Sequence, residues 1–415
     1  MKIGIIQFPG SNSARECKLA VERIGFVAID CFWHANPMLI ESLDGYIIIG
    51  DLSYEDRMRS GVIAALDPML QNLQAQAYRG KPILGISNGA QVLMACGLIP
   101  SMTFTHNHCP DDHGYYNNWV YIRRNTPGDK PIYLPLADAE GRFLIEPEVF
   151  AQLSEQNVVC YYYCNNQGQI IADYPINPNG SQYNLAAVSN VAGNVMAMMP
   201  HPERTVAGDV ILRRFFETYS EKMSSMKCND STSIVPEDAV QKNSSRMIWN
   251  PYLREESFEY WVRLLIDDNE AISLQNALQN LQINIEVKKF IHWQVFGAIE
   301  TDDSIIKAQE ELFNLRKECL VRYPEIHATD RLFSQPIVAY FVREKQDEIA
   351  RVKQAILSQK LGRPVRLVRE VVWVMHGDVD NQARIKKLLE EQLILAHPLS
   401  HEGFIDETWK SKSYL

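Results

Sequence analysis

Residues 81–91 read Lys81-Pro82-Ile83-Leu84-Gly85-Ile86-Ser87-Asn88-Gly89-Ala90-Gln91, an apolar run followed at once by a glycine-flanked turn. The run predicts a buried strand over Ile83–Ile86, and the residues after the turn predict a helix from Gln91 to Cys96, closed by a glycine. A strand that turns sharply into a helix lifts one side chain onto the turn, where the first N–H groups of the helix face it. The pattern therefore predicts a reactive site at Ser87.

A second motif lies far downstream, in Met199-Pro200-His201-Pro202-Glu203-Arg204. His201 offers a general base and Glu203 a carboxylate to orient it, the two partners that a serine nucleophile needs. In a plainer interpretation, His-Pro-Glu ends a buried strand and Glu203 pairs with Arg204 or Arg213. Because the sharp turn is present upstream, we predict that its serine, His201 and Glu203 form one catalytic set.

The composition is that of a soluble globular protein. The chain has 415 residues, 46% of them hydrophobic and 22% charged, enough for two or three domains with their own cores. A net charge of −10 argues against a nucleic-acid partner, which usually meets a basic surface. No apolar run approaches the ~18 residues of a membrane span, and the start of the chain resembles no secretory or transit segment. We therefore expect neither a nucleic-acid nor a membrane partner.

The eight cysteines carry no zinc-ribbon or Cys-x-x-Cys spacing, which is typical of reduced thiols in a cytoplasmic protein. One polar cluster suggests a metal site at first sight: His106, His108, Cys109, Asp111, Asp112 and His113. Its spacing matches no standard zinc pattern, and the region is loop-like. We interpret it as a solvated loop and expect neither a metal nor another cofactor.

The first part of the chain, residues 1–221, alternates apolar runs with helical patterns, which predicts a mostly parallel α/β sheet covered on both faces. The predicted strands are Lys2–Phe8, Gly45–Ile49, Ile83–Ile86, Trp119–Arg123, Val158–Cys164, Gln169–Asp173, Leu185–Asn190 and Val195–Met199. A helix over Val210–Tyr219 follows. Residues 222–247 are rich in Ser, Asn, Asp and Lys without periodicity, and we interpret them as a linker.

The second part, residues 248–415, contains an internal repeat. Residues 285–297 align without gaps to residues 365–377. Alternate apolar positions coincide, as do three marked pairs: Lys289 with Arg369, Trp293 with Trp373, and Gly297 with Gly377. A match at this density indicates a duplication.

Each copy also has a strand and a helix before it and a helix after it. The predicted elements are Tyr260–Ile266, Ala271–Leu281, Ser304–Leu320, Ile337–Val342, Glu348–Leu361 and Ala383–Leu395. The prediction is an α+β domain of two repeats, at about 258–336 and 337–405, that form a pseudo-dimer with one sheet under four helices.

Residues 1–221 resemble the glutaminase subunit (PurQ-type) of phosphoribosylformylglycinamidine synthase, a class I glutamine amidotransferase of purine biosynthesis. The matching pieces are Phe8-Pro9-Gly10-Ser11-Asn12, then Ser53-Tyr54 with Asp56, Arg59 and Gly61, then Gly85 to Gln91, then Ala137 with Glu140-Gly141-Arg142-Phe143, then Asn177 to Ser181, and Met198 to Arg204. This resemblance implies a flavodoxin-like fold. Residues 258–405 look like two fused copies of the small accessory subunit (PurS-type) of the same enzyme.

The resemblance also implies the chemistry. In that family a cysteine attacks the side-chain amide of glutamine, a histidine carries the proton, and the released ammonia passes to the synthase subunit. Carried onto this chain, Ser87 takes the nucleophile position, with His201 and Glu203 as its partners. The positions for the oxyanion site and the substrate amide are Gly50, Asn88 and Gln91. L-glutamine is then the ligand, and a PurL-type synthase subunit is the partner.

Ser87 is the largest departure from the family pattern, because a serine hydroxyl is not ionised near neutral pH whereas a thiol can be. Asp51 and Glu55 replace glycines of the family, and Asp138 replaces a histidine. An engineered Cys→Ser change would explain the serine alone, so we favour a naturally decayed site. We expect little or no glutamine hydrolysis and a scaffolding or regulatory role on the synthase. The alternatives are an active glutaminase and an unrelated Ser-His-Glu hydrolase.

Overall fold

The computed structural model divides into two compact units, residues 1–245 and 246–415. It describes residues 1–50, 61–99, 101–108, 115–124, 126, 128–156, 158–226, 246–297, 301–321 and 337–406. The last helix of the first unit runs to Met226, so the first residues of the predicted linker are helical. Within the described ranges, no helix is both long enough and apolar enough to cross a membrane.

The first unit alternates strands and helices. Its strands are β1 Lys2–Gln7, β2 Val27–Phe32, β3 Gly45–Ile48, β4 Ile83–Ile86, β5 Met102–Thr105, β6 Tyr116–Arg123, β7 Ile132–Asp138, β8 Arg142–Ile145, β9 Val159–Cys164, β10 Leu185–Ser189 and β11 Val195–Met198. Its α-helices are α1 Ala14–Arg23, α2 Pro37–Glu41, α3 Val62–Ala65, α4 Pro68–Tyr78, α5 Asn88–Ala95, α6 Pro147–Glu155 and α7 Asp209–Met226.

Nine of these strands form one sheet, in the order β2-β1-β3-β4-β11-β10-β9-β6-β7. The first five in that order are parallel and the other four pair antiparallel. The predicted mostly parallel sheet is thus right for one half and wrong for the other. The connection between β10 and β11 is a turn closed by Asn190, too short for the crossover helix that a parallel pair requires.

The inner strands of the parallel half are buried on both faces. Every side chain of β3 and β4 is buried, and successive side chains of a strand point to opposite faces of its sheet. Apolar runs of this kind are typical of parallel sheets covered by helices on both sides, as predicted. Helix α1 contributes Cys17, Ala20 and Val21 to this core.

The strand predicted over Gln169–Asp173 is absent, since the structure leaves residues 169–173 without a ladder. The Asn165 side chain accepts hydrogen bonds from the backbone N–H groups of Gln167 and Gln169, at 3.0 and 2.8 Å. A side chain therefore satisfies donors that a neighbouring strand would otherwise have to satisfy. The alternating pattern of residues 169–173 does not reveal this local competition.

The second unit has seven strands and four α-helices in its described ranges. The strands are β12 Trp249–Pro251, β13 Phe258–Leu264, β14 Glu286–Phe296, β15 Glu318–Val321, β16 Ile337–Glu344, β17 Arg366–His376 and β18 His401–Asp406. The helices are α8 Asn269–Asn280, α9 Asp302–Leu312, α10 Glu348–Leu361 and α11 Val379–Glu391. The strands form one sheet, in the order β12-β18-β16-β17-β14-β13-β15.

That order is nearly symmetric about the central pair, β14 and β17. Strand β13 lies between β14 and β15, just as β16 lies between β17 and β18. Corresponding contacts recur: Gln275 Oε1 accepts from the Val287 N–H at 3.0 Å, and Gln354 Oε1 accepts from the Leu367 N–H at 2.9 Å. The two stretches that align in the sequence are therefore neighbours in the sheet.

Helices α9 and α10 pack on one face of this sheet, against a core that includes Tyr260, Val262 and Trp293. The core of the opposite face consists of strand residues with Tyr252 against them. The helix predicted over Ser304–Leu320 ends earlier, at Leu312. The Asn314 carbonyl closes a turn there by accepting from two later N–H groups, and β15 follows.

Candidate active site

Ser87 lies at the junction of β4 and α5, where the sequence places it. The helix begins at Asn88, three residues before the predicted start, and Ser87 is its N-cap residue. Its backbone has φ 48° and ψ −111°, a region that costs a non-glycine residue about 1–3 kcal/mol and that clusters at functional sites. The Ser87 N–H donates to the Met198 carbonyl at 2.7 Å, which fixes the turn to the end of β11.

Three glycines allow the backbone to pack closely around this turn. A Cβ on Gly89 would lie 2.1 Å from the Ile48 carbonyl oxygen, and one on Gly85 would lie 2.4 Å from the Gly89 carbonyl oxygen. A Cβ on Gly50 would lie 2.5 Å from the Ile86 carbonyl oxygen and 2.8 Å from the Ser87 Cβ. Gly50, predicted for the oxyanion site, is therefore in immediate contact with the turn.

His201 and Glu203 form a buried pair at the same edge of the sheet. Strand β11 runs parallel to β4 with Met198 aligned to Ile86, so the chain after each strand emerges at one edge. The His201 Nδ1 lies 2.7 Å from Glu203 Oε1, and each residue is 1% exposed. The structure thus joins two of the three predicted catalytic residues.

The two ring nitrogens of His201 have different roles in this pair. A carboxylate only accepts hydrogen bonds, so Nδ1 carries the hydrogen and Nε2 of the neutral ring keeps its lone pair. Nε2 is buried and has no hydrogen-bond partner among the described residues. This is the arrangement that a general base needs, with one nitrogen held by a carboxylate and the other available for a proton.

The plainer interpretation of Glu203 is met only in part. Arg204 Nε lies 3.5 Å from the same oxygen, Oε1, that His201 contacts. Arg213 instead faces Glu217, at 3.7 Å on the exposed side of α7. The shorter contact of Glu203 is therefore with the histidine.

Asn88 and Gln91 are joined to each other and to the chain beyond β7. Asn88 Nδ2 donates to Gln91 Oε1 at 3.1 Å, and Gln91 Nε2 donates to the Glu140 carbonyl at 2.9 Å. Both side chains are buried. The structure therefore brings these predicted substrate-binding residues together at the first turn of α5.

Asn107, which no sequence motif marks, supports this contact. Asn107 Nδ2 donates to the backbone carbonyl and to Oδ1 of Asp138, both at 2.8 Å, and its Oδ1 accepts from the Gly141 N–H at 2.9 Å. Asn107 is buried and so fixes the turn whose Glu140 carbonyl accepts from Gln91. It lies in a polar loop with no motif of its own, so only the fold identifies it.

Comparison with known proteins identifies the family of the first unit. Residues 1–211 match the family of CobB/CobQ-like glutamine amidotransferase domains. The PurQ subunit of phosphoribosylformylglycinamidine synthase from Methanothrix thermoacetophila is 36% identical over 226 residues, which are 49% of this chain and 86% of that subunit. The chain belongs to the PurQ-type glutamine amidotransferase family.

Further relatives have similar coverage. The PurQ subunit from Haloquadratum walsbyi is 37% identical over 215 residues, 49% of this chain and 91% of that subunit. Among solved structures, one of PurLQS from Thermotoga maritima matches with 26% identity and a TM-score of 0.44, covering 52% of this chain and 98% of that one.

The sharp turn at Ser87 between β4 and α5 is called the elbow below. Cys96 lies at the end of the helix that follows it and is unsuited to replace the serine. Burial raises the pKa of its thiol to about 12, so the reactive thiolate is essentially absent at neutral pH. The Cys96 Sγ instead donates to the Leu93 carbonyl of its own helix, at 3.4 Å. The site therefore presents an alcohol at its tip.

Several predicted positions of the PurQ-type domain lie outside the described residues: Asp51, Glu55, Cys109, Asp111, Asp112 and His113. Of the polar cluster, His106 and His108 are described. His106 Nδ1 lies 3.7 Å from Glu140 Oε1, which places this histidine beside the turn that holds Gln91.

Proposed function

We propose that the chain is a combined PurQ-like and PurS-like component of phosphoribosylformylglycinamidine synthase in purine biosynthesis, with little or no glutamine hydrolysis of its own. In this proposal it acts as a scaffold or regulator of a PurL-type synthase subunit. The family supports the pathway, because the relatives are named as subunits of that enzyme. The observation that carries the loss of activity is Ser87 at the strained elbow position.

The chemical reason for the loss is the atom at the tip of the elbow. A cysteine there is activated by the helix N-terminus, whereas a serine must lose its proton to a base during the attack. The C–O arm is also shorter than C–S, and a misplacement of about 1 Å costs on the order of 100-fold in rate. His201 Nε2 has no hydrogen-bond partner in the described part of the chain and can still accept that proton. The site therefore retains its base although the cysteine nucleophile is replaced.

The second unit supports the PurS-like part of the proposal. Its two aligned stretches pair antiparallel along β14 and β17, as two subunits of a dimer would across a shared sheet. A fused pair of small subunits supplies that dimer within one chain. The proposed partner is the synthase subunit, to which the PurQ-type domain would be tethered.

The test is reconstitution of the full chain with a PurL-type synthase from the same organism. We expect the two to co-purify and product formation to proceed with ammonium but not with glutamine. Ser87→Ala should then leave both activities unchanged, because the serine is not acting as a nucleophile. Glutamine-dependent turnover that Ser87→Ala abolishes would establish the active glutaminase instead.

Restoring the thiol separates the causes of the loss. We expect Ser87→Cys alone to recover little glutaminase activity, because Asp51 and Glu55 still replace glycines of the family. Ser87→Cys combined with Asp51→Gly and Glu55→Gly should recover much more. Full recovery by Ser87→Cys alone would show that the loss resides in one atom.

The unrelated hydrolase is tested with model esters. The buried His201–Glu203 pair is the observation in its favour, because the same pair serves a serine nucleophile on other folds. Ester hydrolysis that Ser87→Ala removes would support this alternative. We expect no such activity.

A further inference from the structure

The central pair of the second unit is nearly two-fold symmetric in its register. Ile291 faces Val371 at the centre, and Lys289 faces Trp373 on one side as Trp293 faces Arg369 on the other. Positions 80 apart, such as 291 and 371, are therefore equivalent. Because β14 and β17 are equivalent in this register, either strand could pair with the other or with a second copy of itself.

One polar cluster breaks this symmetry, on the face opposite α9 and α10. His292 faces Glu370 across the central pair, while their equivalents, Val372 and Phe290, face each other. In the flanking strands, the equivalents are Glu259 with Ala339 and Arg343 with Arg263. Glu259, His292 and Glu370 are thus matched by apolar residues at the equivalent positions. Arg343 is matched by another arginine, so the asymmetry lies in the histidine and the two glutamates.

The polar side is fully buried at its centre. His292 and Glu370 are each 0% exposed, with His292 Nδ1 at 2.9 Å from Glu370 Oε2. Glu370 also accepts from Arg343 Nη2 at 2.6 Å and from the Tyr252 hydroxyl at 3.1 Å. The imidazole stacks on Trp261, with ring centroids 4.2 Å apart.

The charges around His292 are balanced within the cluster. Its Nε2 lies 3.5 Å from Glu259 Oε2. Burial lowers the pKa of His292, but hydrogen bonds and charges from Glu259 and Glu370 outweigh this effect and raise it. The imidazole is thereby favoured in its charged form, between two carboxylates.

Self-pairing would separate His292 from Glu370. Each would keep the opposite charge on its own flanking strand, Glu259 for His292 and Arg343 for Glu370, but would lose its partner across the central pair. If β14 paired with β14 of a second chain about the same centre, position 292 would face position 290, so His292 would meet Phe290. If β17 paired with β17, Glu370 would meet Val372. A buried charge that loses its partner is strongly destabilising, typically by more than the gain from forming the pair.

We propose that the His292–Glu370 pair makes the two repeats obligate partners of each other, so that the β14 edge fits β17 and rejects a second copy of β14. A duplicated sequence needs such a device, because its two copies offer several pairings of similar shape. Polar groups placed at one buried position are known to specify register and partner in this way.

Residue 291 provides a direct reporter, because it lies at the centre of the pairing. In the native arrangement it faces residue 371, whereas in self-pairing it faces residue 291 of a second chain. Directly opposed residues of an antiparallel pair lie within disulfide reach. Ile291→Cys therefore forms a 291–291 disulfide only when β14 pairs with β14, and Ile291→Cys with Val371→Cys forms one within the chain.

The experiment unfolds and refolds the full-length Ile291→Cys chain under oxidising conditions and quantifies the 291–291 disulfide by peptide mapping. The same reporter is then combined with His292→Val and Glu370→Phe, the residues that the equivalent positions already hold. We expect the 291–291 product to rise at least about tenfold, because self-pairing no longer breaks a buried ion pair. An unchanged yield would overturn the proposal.

Two controls keep the result interpretable. Phe290→Val with Val372→Phe alters the apolar side alone and should leave the yield unchanged; a rise equal to that of the polar exchange would count against the proposal. The 291–371 disulfide in the His292→Val and Glu370→Phe background shows that this variant still folds in register. If that disulfide is lost without any gain in the 291–291 product, the pair maintains the fold rather than choosing the partner, and the proposal fails.

Discussion

The two units each bury a histidine against a glutamate, and the two pairs differ in what lies on the far side of the ring. In the PurQ-type domain, His201 Nδ1 is 2.7 Å from Glu203, and Nε2 has no hydrogen-bond partner among the described residues. In the second unit, His292 Nδ1 is 2.9 Å from Glu370. Its Nε2 also has no hydrogen bond within the described residues, but it lies 3.5 Å from a second carboxylate, Glu259.

The difference separates a pair with the geometry of a general base from a pair that holds two strands together. A ring with one nitrogen held and the other free can exchange a proton with a substrate. A ring with carboxylates near both nitrogens is favoured as a cation and serves as a fixed positive charge. Burial and a short His–Glu contact are common to both, so neither property alone identifies a catalytic histidine.

The largest effect should come from removing one partner of the His292–Glu370 pair. We expect Glu370→Leu to destabilise the second unit by about 3–5 kcal/mol, because the charged His292 and Arg343 lose their buried carboxylate. Urea unfolding, with amide hydrogen exchange in β14 as the local probe, measures this loss. His292→Val with Glu370→Phe should cost far less, and an equal loss in both variants would contradict the explanation.

A smaller loss should follow in the PurQ-type domain from Glu203→Gln. The amide keeps the shape but weakens a charge-assisted hydrogen bond, and we expect about 2 kcal/mol by urea unfolding. Glu217→Gln on the exposed face of α7 is the matched control, with about 0.5 kcal/mol or less. If the two substitutions cost the same, the His201–Glu203 contact does not hold the site.

The pH dependence of stability should distinguish the second unit. The pKa of His292 is raised above its ordinary 6.5, so its contribution is complete below 6.5 and is lost as the pH rises through the raised value. Burial raises the pKa values of Glu259 and Glu370, but His292 outweighs this effect and lowers both below the ordinary 4.5. Their contribution to stability is therefore present above pH 4.5 and is lost on acidification.

The free energy of unfolding of the native chain minus that of the His292→Val, Glu370→Phe variant should therefore be greatest between pH 4.5 and 6.5. Urea unfolding of both proteins across a pH series gives the difference directly. A difference that does not vary with pH would show that the cluster titrates the same way in the folded and unfolded chains.

The smallest effect should come from the tip of the elbow. The Ser87 side chain makes no capping hydrogen bond to α5, and we expect Ser87→Ala to change stability by about 0.5 kcal/mol or less. Thermal unfolding of the full chain measures this. A loss as large as that of Glu203→Gln would assign the serine a structural role.

The elbow and the His-Pro-Glu motif could be predicted because their residues are adjacent in the chain, and a strand, a turn and a helix follow from local patterns. The antiparallel half of the large sheet was missed, since alternation shows burial but not the direction of a neighbour. Asn107 and the partners of His292 were also out of reach. Their roles depend on residues 31 and 78 positions away, which only the folded sheet brings together.

The three glycines around the elbow have a consequence for how such sites change over generations. The nearest atom that a Cβ on any of them would meet is a backbone oxygen, so a mutation that gives one of them a side chain destabilises the fold. No such packing constraint acts on the side chain at position 87, so a change of that side chain affects the reaction and not the fold. A lineage can therefore keep the recognisable outline of an amidotransferase long after the reaction has stopped being selected.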